Sequence, residues 1–123
     1  MDNKLYILIA DDDLVNRLIF DDQLSDDYET HLVEDGEECL LSFKQRKADI
    51  LLLDINMPKL NGYEVCRDIR KEYDKKEQII IFVSAMASTK EKQVGMDAGA
   101  NDFLTKPYDD EDLYAIIEKN ITL

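Results

Sequence analysis

The stretch "ILLLDINMPKLNGYE", residues 50–64, joins an apolar run to a charged residue and then to a broken segment. Residues 50–53 are all apolar, and the next residue is Asp54. Pro58 and Gly62 follow within a few positions, and both residue types interrupt regular secondary structure. A continuous apolar run indicates a strand that is covered on both faces, as in a parallel sheet. The stretch therefore predicts a buried strand that ends on a carboxylate.

Other segments of the chain also have the character of strands. Two more are almost wholly apolar, "LYILIA" at 5–10 and "QIIIFVSA" at 78–85, and they resemble "DILLLD" at 49–54. Two weaker runs, "YETHLVE" at 28–34 and "NDFLTK" at 101–106, mix polar with apolar residues. Because an edge strand has one side open to water, polar runs suit the edges of a sheet. We expect three central strands and two edge strands.

Helical patterns separate these strands, with apolar residues recurring three and four positions apart. The predicted helices cover residues 14–25, 37–46, 62–73, 88–98 and 109–121. The apolar positions of the first are Val15, Leu18, Ile19 and Leu24. The fourth has Gly95 in its middle, which costs roughly 1 kcal/mol relative to alanine. We therefore expect a marginal helix there.

The alternation of strand and helix, repeated five times, defines the fold class. Crossovers between parallel strands are right-handed almost without exception, and five units are too few for an eight-fold barrel. The pattern predicts an α/β fold with a doubly wound, five-stranded parallel sheet of flavodoxin-like order 2-1-3-4-5, that is, (βα)5. The length of 123 residues fits one domain, residues 1–123, and we expect no output domain attached to it.

Composition excludes several functions. The net charge of −13 makes direct binding to nucleic acid or to an anionic membrane unfavourable. The first apolar run is six residues long, too short for a signal peptide or a membrane span. Cys39 and Cys66 lack the CxxC spacing, and we interpret them as reduced, half-buried packing residues. These features are typical of a cytoplasmic protein.

The ends of the predicted strands carry the candidate functional residues. In an open α/β sheet, ligands bind beyond the carboxyl ends of the central strands. The residues at those ends are Asp11, Asp12 and Asp13, then Asp54, then Ser84, then Lys106. Two carboxylates ~4 Å apart repel by ~4 kcal/mol at an effective dielectric near 20, so the cluster favours a cation. Carboxylates with waters suit Mg²⁺, and a hydroxyl with an ammonium suits a phosphoryl group.

Four motifs in order give the chain a family resemblance. They are "ILIADD" with the acid pair, "LLLDINMPKLNG" with the central carboxylate, "IIIFVSA" with the hydroxyl and "GANDFLTKP" with the lysine. In this order the chain resembles, over essentially its whole length, the receiver domain of bacterial two-component response regulators, of the chemotaxis-regulator type. Each motif is modest by itself, and the four together are highly specific.

The resemblance implies a role for each acid. Asp54 would be the nucleophile that accepts a phosphoryl group from the phosphohistidine of a histidine kinase. The implied Mg²⁺ ligands are Asp54, Asp12, the backbone carbonyl of Asn56 and, through a water, Asp11. The implied partners are a sensor histidine kinase or a histidine phosphotransfer protein, and a downstream protein. The protein would be a phosphorelay switch that assists its own phosphorylation, and not a turnover enzyme.

The resemblance also implies how the switch works. Ser84 and Lys106 would contact the phosphoryl oxygens of the product. Ser84 would move toward the phosphoryl group, and the aromatic residue at position 103 would turn inward. That residue is Phe103, where many relatives have a tyrosine. The surface presented to a partner would be the face formed by residues 88–121, and we expect motion in the marginal helix 88–98.

Three other interpretations compete with this one. "ILIADDDLV" also fits the first motif of haloacid-dehalogenase-type phosphatases, with Asp11 as nucleophile and Asp13 as acid/base. That family needs a later strand before its closing acid pair, whereas Asp109 and Asp110 follow Lys106 without one. A flavin-binding flavodoxin would need hydroxyls and amides where this chain has three acids. A receiver that is never phosphorylated would not require the complete set of chemical residues.

Overall fold

The computed structural model describes residues 4–85 and 88–121 and contains five strands and five helices in alternation. The strands are β1 (Tyr6–Ala10), β2 (Glu29–Val33), β3 (Ile50–Leu53), β4 (Ile79–Ser84) and β5 (Asp102–Thr105). The helices are α1 (Leu14–Leu24), α2 (Gly36–Gln45), α3 (Gly62–Arg70), α4 (Thr89–Ala98) and α5 (Asp110–Ile121). The predicted helix 62–73 is thus three residues too long, because residues after Arg70 form turns.

All strand pairs are parallel, and the order across the sheet is β2-β1-β3-β4-β5. The predicted architecture is therefore confirmed. Every residue of β1 and β3 is buried, whereas β2 alternates between exposed and partly buried positions before its last residue. The residues of β5 are all partly buried. Polar residues stand in the two edge strands because only there does one side of the backbone lack a neighbouring strand.

The sheet separates two hydrophobic cores. One includes Phe43 of α2, Val65 of α3 and Ala98 of α4. The other includes Phe20 of α1 and Leu113 of α5. Helices thus cover both faces of the sheet, which explains the continuous apolar sequences of the central strands.

Helix α1 differs from the prediction. Of the four positions assigned to its apolar face, only Leu24 is buried, and Phe20 is its other buried residue. Val15, Leu18 and Ile19 are exposed, at 60%, 61% and 46%. The helix packs through the 20/24 pair, which lies four positions apart on one face. The exposed side of the helix is also apolar. Periodicity alone therefore assigned the exposed residues Val15, Leu18 and Ile19 to the packed face.

Helix α4 forms as predicted and has a cap at each end. Ser88 and Glu91 make a reciprocal capping box at its start. Gly99 ends it in the left-handed conformation with φ +110°, where a side chain would be strained. These caps offset the weak helix propensity of Gly95.

The two cysteines are more buried than expected, since both are fully enclosed and free. The Cys66 thiol donates to the carbonyl of Ala98 at 3.4 Å. Burial raises the pKa of Cys39 to about 12 and that of Cys66 to about 11. The thiolate, which is the reactive form, is therefore suppressed at neutral pH.

Candidate functional site

Three carboxylates meet at the carboxyl ends of β1 and β3. Asp11 follows β1 and Asp54 follows β3, and the amide of Asp54 donates to the carbonyl of Ala10 at 2.9 Å. Asp11, Asp12 and Asp54 each offer an oxygen atom, and these oxygens lie within 4.8 Å of one another. Asp11 is buried, Asp54 is partly buried and Asp12 is exposed. The cluster is therefore an acidic pocket that opens to solvent at Asp12.

Lys106 supplies the positive charge of the pocket. Its ammonium lies 2.8 Å from Asp11 Oδ2 and 3.6 Å from Asp54 Oδ2. The residue follows β5, and its amide donates to the carbonyl of Ser84 at 3.0 Å. The pairing of β4 with β5 therefore places Lys106 next to the acids, although Lys106 follows an edge strand. The prediction that these strand ends meet is correct.

The start of α1 fixes Asp11 in place. Asp11 Oδ1 accepts hydrogen bonds from the amide of Asp13 at 3.0 Å and from Asn16 Nδ2 at 3.5 Å. Arg17 Nη1 donates to the carbonyl of Asp11 at 2.8 Å and lies near Glu34. Asn16 and Arg17 were missed as site residues. Their position in the first turns of the helix that follows the acid pair is the one signal that could have indicated them.

The electrostatics of the pocket favour a further cation. Burial raises the pKa of Asp54 above its usual range, and Asp11 and Asp12 raise it further. Lys106 and the amide of Ile55, which donates to Asp54 Oδ1 at 2.7 Å, act in the opposite direction. The net effect is a raised pKa, so one ammonium does not fully compensate the burial and the two neighbouring acids. A cation beside the three oxygens would restore the balance.

The donor set fits Mg²⁺. This ion takes oxygen ligands, binds through a few carboxylates and keeps several waters. Three carboxylate oxygens within 4.8 Å, with Asp12 open to solvent, match that preference. Asn56 lies in the exposed part of the loop after β3, two residues beyond Asp54. The residues present can therefore hold the ion that the sequence predicts.

The loop after β3 is held against the start of α2. Lys59 has a positive φ of 71°, and its ammonium lies 3.5 Å from Asp35 Oδ2. The amide of Gly36 donates to the carbonyl of Pro58 at 3.4 Å. A Cβ atom at Gly36 would lie 2.1 Å from the carbonyl oxygen of Leu60, so only glycine fits there. These contacts fix the part of the loop that follows Asn56.

The two predicted switch residues lie on β4 and β5. Ser84 is the last residue of β4, is buried, and pairs in register with Thr105. Phe103 is partly buried, its ring centroid 6.2 Å from that of Phe82. The ammonium of Lys92 lies 5.9 Å from the Phe103 centroid. Ser84 thus adjoins the backbone of Lys106, and the Phe103 ring lies near Phe82 of β4 and Lys92 of α4.

Asp13 has a structural role in this geometry. Its side chain accepts a hydrogen bond from the amide of Val15 at 3.1 Å and caps α1. The phosphatase alternative needs this carboxylate as a free acid/base. A cap that already accepts a backbone hydrogen bond does not meet that need.

The fold and the pocket together define a class of protein, an open doubly wound α/β domain with an acid cluster and a lysine at the strand ends. Residues 7–118 match the family model described as response regulator receiver domain. The chain belongs to this family. Its members are signalling switches of two-component systems, and the family match lends no support to the phosphatase alternative.

Relatives and solved structures agree with the family. The chain is 38% identical over 116 residues to a "probable transcriptional regulator ycf27" of Cyanophora paradoxa, which covers 94% of this chain and 47% of that protein. The Vibrio cholerae chemotaxis protein CheY4 has a TM-score of 0.89 at 28% identity, over 96% of this chain and 99% of that one. The receiver domain of the Pseudomonas aeruginosa sensor histidine kinase PA1611, solved with magnesium in its active-site cleft, has a TM-score of 0.89 at 30% identity, over 98% and 99%.

The chain spans about half the length of the curated relatives it matches. Among the helices of residues 4–85 and 88–121, none has the length and apolar character needed to cross a membrane.

Proposed function

We propose that Asp54 is the phosphoacceptor of this receiver domain. Its carboxylate would attack the phosphorus of a phosphohistidine, the P–N bond would break, and the electron pair would remain on the imidazole. The observation that carries the proposal is the position of Asp54, at the end of a central strand, 3.6 Å from Lys106 and within 4.8 Å of oxygens of Asp11 and Asp12. Asp11 is buried beneath Lys106 and is less accessible to a donor.

The proposed cation is Mg²⁺, held by Asp54, Asp12, the backbone carbonyl of Asn56 and, through a water, Asp11. The ion, when bound, would neutralise charge that develops on the phosphoryl oxygens. Lys106 would hold one of those oxygens through its ammonium, and Ser84 would donate a hydrogen bond to another. Lys106 would have to shift part of its contact from Asp11 toward the phosphoryl group.

The proposed phosphodonor is a sensor histidine kinase or a histidine phosphotransfer protein that docks on α1. Leu14, Val15, Leu18 and Ile19 form the apolar α1 patch, which is open to solvent. A cavity of about 320 Å³ adjoins it, lined among others by Ile19, Tyr108 and Lys106. The patch therefore borders the residue that contacts Asp54. An exposed apolar patch of this kind marks a protein interface, and the acids around it favour a donor with a basic rim.

The proposed output is a shift of the face formed by residues 88–121 between two states. The domain would act once per phosphorylation as a switch, and not as an enzyme that turns over substrate. Phosphorylation adds about −1.5 to −2 charges and new acceptor oxygens next to Lys106 and Ser84. The differential contacts of these two residues would set the equilibrium between the states.

Incubation with acetyl phosphate and Mg²⁺, followed by mass spectrometry of the peptides, tests the acceptor. We expect one added phosphoryl group on Asp54 and none in Asp54→Asn. Asp49→Asn, a change just before the first residue of β3, is the matched control and should label normally. A phosphoryl group on Asp11 would overturn the proposal and favour the phosphatase chemistry.

A further inference from the structure

The ring of Phe82 is packed between two glycines from different helices. Phe82 lies in β4 and is fully buried. A Cβ atom at Gly62 would lie 2.9 Å from Phe82 Cε1, and one at Gly95 would lie 3.1 Å from Cδ2. The first distance is shorter than real contacts allow, and the second is tight. One rigid ring therefore fills the space between the start of α3 and the middle of α4, where neither helix has a side chain.

Gly62 connects this ring to the proposed acceptor. A Cβ atom at Gly62 would lie 2.3 Å from the carbonyl oxygen of Asp54, so the glycine backbone lies directly over that peptide. The amide of Gly62 donates to the carbonyl of Ile55 at 2.8 Å. The residues that follow Asp54 thus return onto its own backbone, with the Phe82 ring beneath them. A shift of that backbone changes the contact with the ring.

The same turn of α3 has a second contact with α4. The Tyr63 ring meets Phe82 edge-on, with centroids 5.5 Å apart and an interplanar angle of 68°. The Tyr63 hydroxyl donates to the carbonyl of Glu91 in the first turn of α4 at 3.1 Å. Phe103 packs on another side of Phe82. Phe82 is the shared neighbour of α3, α4 and β5.

We propose that Phe82 is the positioning residue that transmits a shift of the backbone after Asp54 to α4. The inference rests on the proposed function and adds a path by which a change at Asp54 reaches α4. Protein interiors are close-packed and transmit displacement, and a ring enclosed by two glycine backbones has no free space to absorb one. The route runs along the α3 side of the sheet and needs no contact with the phosphoryl group. It is therefore separate from the hydrogen bond expected of Ser84.

The test compares Phe82→Leu with Phe43→Leu. Phe43 belongs to the same hydrophobic core but packs on Tyr73, which follows α3, and it is not among the nearest neighbours of either glycine. Each variant is treated with acetyl phosphate to check labelling of Asp54, and with beryllofluoride and Mg²⁺ to hold the switched state. Amide deuterium exchange of residues 89–98 is measured with and without beryllofluoride. We expect normal labelling throughout, and an exchange response below about half of the wild-type response in Phe82→Leu alone.

A rescue variant separates transmission from general loosening. Gly95→Ala in the Phe82→Leu background places a methyl group where the ring was trimmed, and it should recover the exchange response. Gly95→Ala alone removes clearance against the intact ring, so its resting α4 should already be displaced and its response reduced. This single variant also tests the contact if Phe82→Leu fails to fold.

The outcomes are distinct. Failure of the wild-type protein to label at Asp54 would overturn the proposed function and this inference with it. Normal labelling with a full exchange response in Phe82→Leu, or an equal loss in Phe43→Leu, would overturn the role of Phe82 alone. Absence of rescue by Gly95→Ala would overturn the contact with α4 as the route.

Discussion

The ammonium of Lys106 lies closer to Asp11 than to Asp54, at 2.8 Å and 3.6 Å. The charge of Lys106 is therefore paired mainly with Asp11, which is almost wholly buried at 1% exposure. Asp54 keeps a raised pKa in consequence, and burial is the largest cause. A metal ion that takes over Asp11 and Asp12 would release the lysine for the phosphoryl group.

Lys106→Met should destabilise the metal-free protein by about 3 kcal/mol, because Asp11 would be left as a buried charge without its counter-ion. Mg²⁺ should recover part of this loss by replacing the ammonium. Urea unfolding with and without Mg²⁺ measures both effects. Lys59→Met is the control: its partner Asp35 lies at 3.5 Å but the lysine is mostly exposed, so the loss should stay below about 1 kcal/mol. Equal losses in the two variants would contradict the prediction.

Asp12→Asn should weaken Mg²⁺ binding without lowering the stability of the metal-free fold. Asp12 is exposed, and relief of one like-charge contact at ~4 Å is worth about 1 kcal/mol near water's dielectric. Titration calorimetry with Mg²⁺ and thermal unfolding without it give the two readouts. Asp13→Asn keeps a side chain that can cap α1 and should bind Mg²⁺ nearly as well. A sharp drop in metal-free stability for Asp12→Asn would mean that Asp12 is a structural residue.

Asp54→Asn should stabilise the metal-free protein at pH 7 and have a smaller effect near pH 3. The folded pKa of Asp54 is raised, so the folded protein binds this proton more tightly than the unfolded chain. Ionisation therefore costs stability above the ordinary carboxyl pKa of about 4, and the cost is absent below it. Denaturant unfolding of the variant and the wild type between pH 3 and pH 7 measures how the stability difference changes with pH.

Asp35→Asn should change the stability of the protein with pH in the opposite direction. The amide of Glu38 donates to Asp35 and lowers its pKa, with Lys59 adding to the effect. This variant should lose stability at pH 7, and the loss should shrink as the pH falls below the ordinary carboxyl pKa and the folded carboxyl also takes up its proton. Parallel pH profiles for the two variants would show that the Asp54 effect is not specific to its site.

Ser84→Ala should still permit phosphorylation of Asp54, since the acceptor and the acids are unchanged. It should remove a hydrogen bond to a charged phosphoryl oxygen, worth about 1.5–3 kcal/mol, and so blunt the response of residues 88–105. NMR shift changes on addition of beryllofluoride and Mg²⁺ measure that response. Equal shifts in Ser84→Ala and wild type would exclude Ser84 as a relay.

Leu18→Ser should slow phosphoryl transfer from a phosphorylated histidine phosphotransfer protein and leave labelling by acetyl phosphate unchanged. The small donor needs no docking surface, whereas the protein donor would lose apolar contact area on the α1 patch. Leu41→Ser is a matched control, because Leu41 is 62% exposed on α2 against 61% for Leu18. A similar loss of rate in both variants would argue against docking on α1.

The sequence predicted the fold and the acidic pocket because burial on both faces of a strand imposes a continuous apolar run. The carboxylates that follow β1 and β3 are easy to identify because each comes directly after such an apolar run. The sequence did not predict which side of α1 packs, because both of its stripes are apolar and only Phe20 and Leu24 face the sheet. Nor could it place Arg17 on the carbonyl of Asp11, since that contact depends on how the helix turns back over the strand end.

The ion pair between Lys106 and Asp11 joins residues that are 95 positions apart. During synthesis, Asp11, Asp12 and Asp54 leave the ribosome well before the lysine that compensates them. A nascent chain that has formed only the first three strands would hold crowded carboxylates without their ammonium, so chemical competence is acquired when β5 joins the sheet. The chain would then become able to accept a phosphoryl group only after this region has been translated and folded.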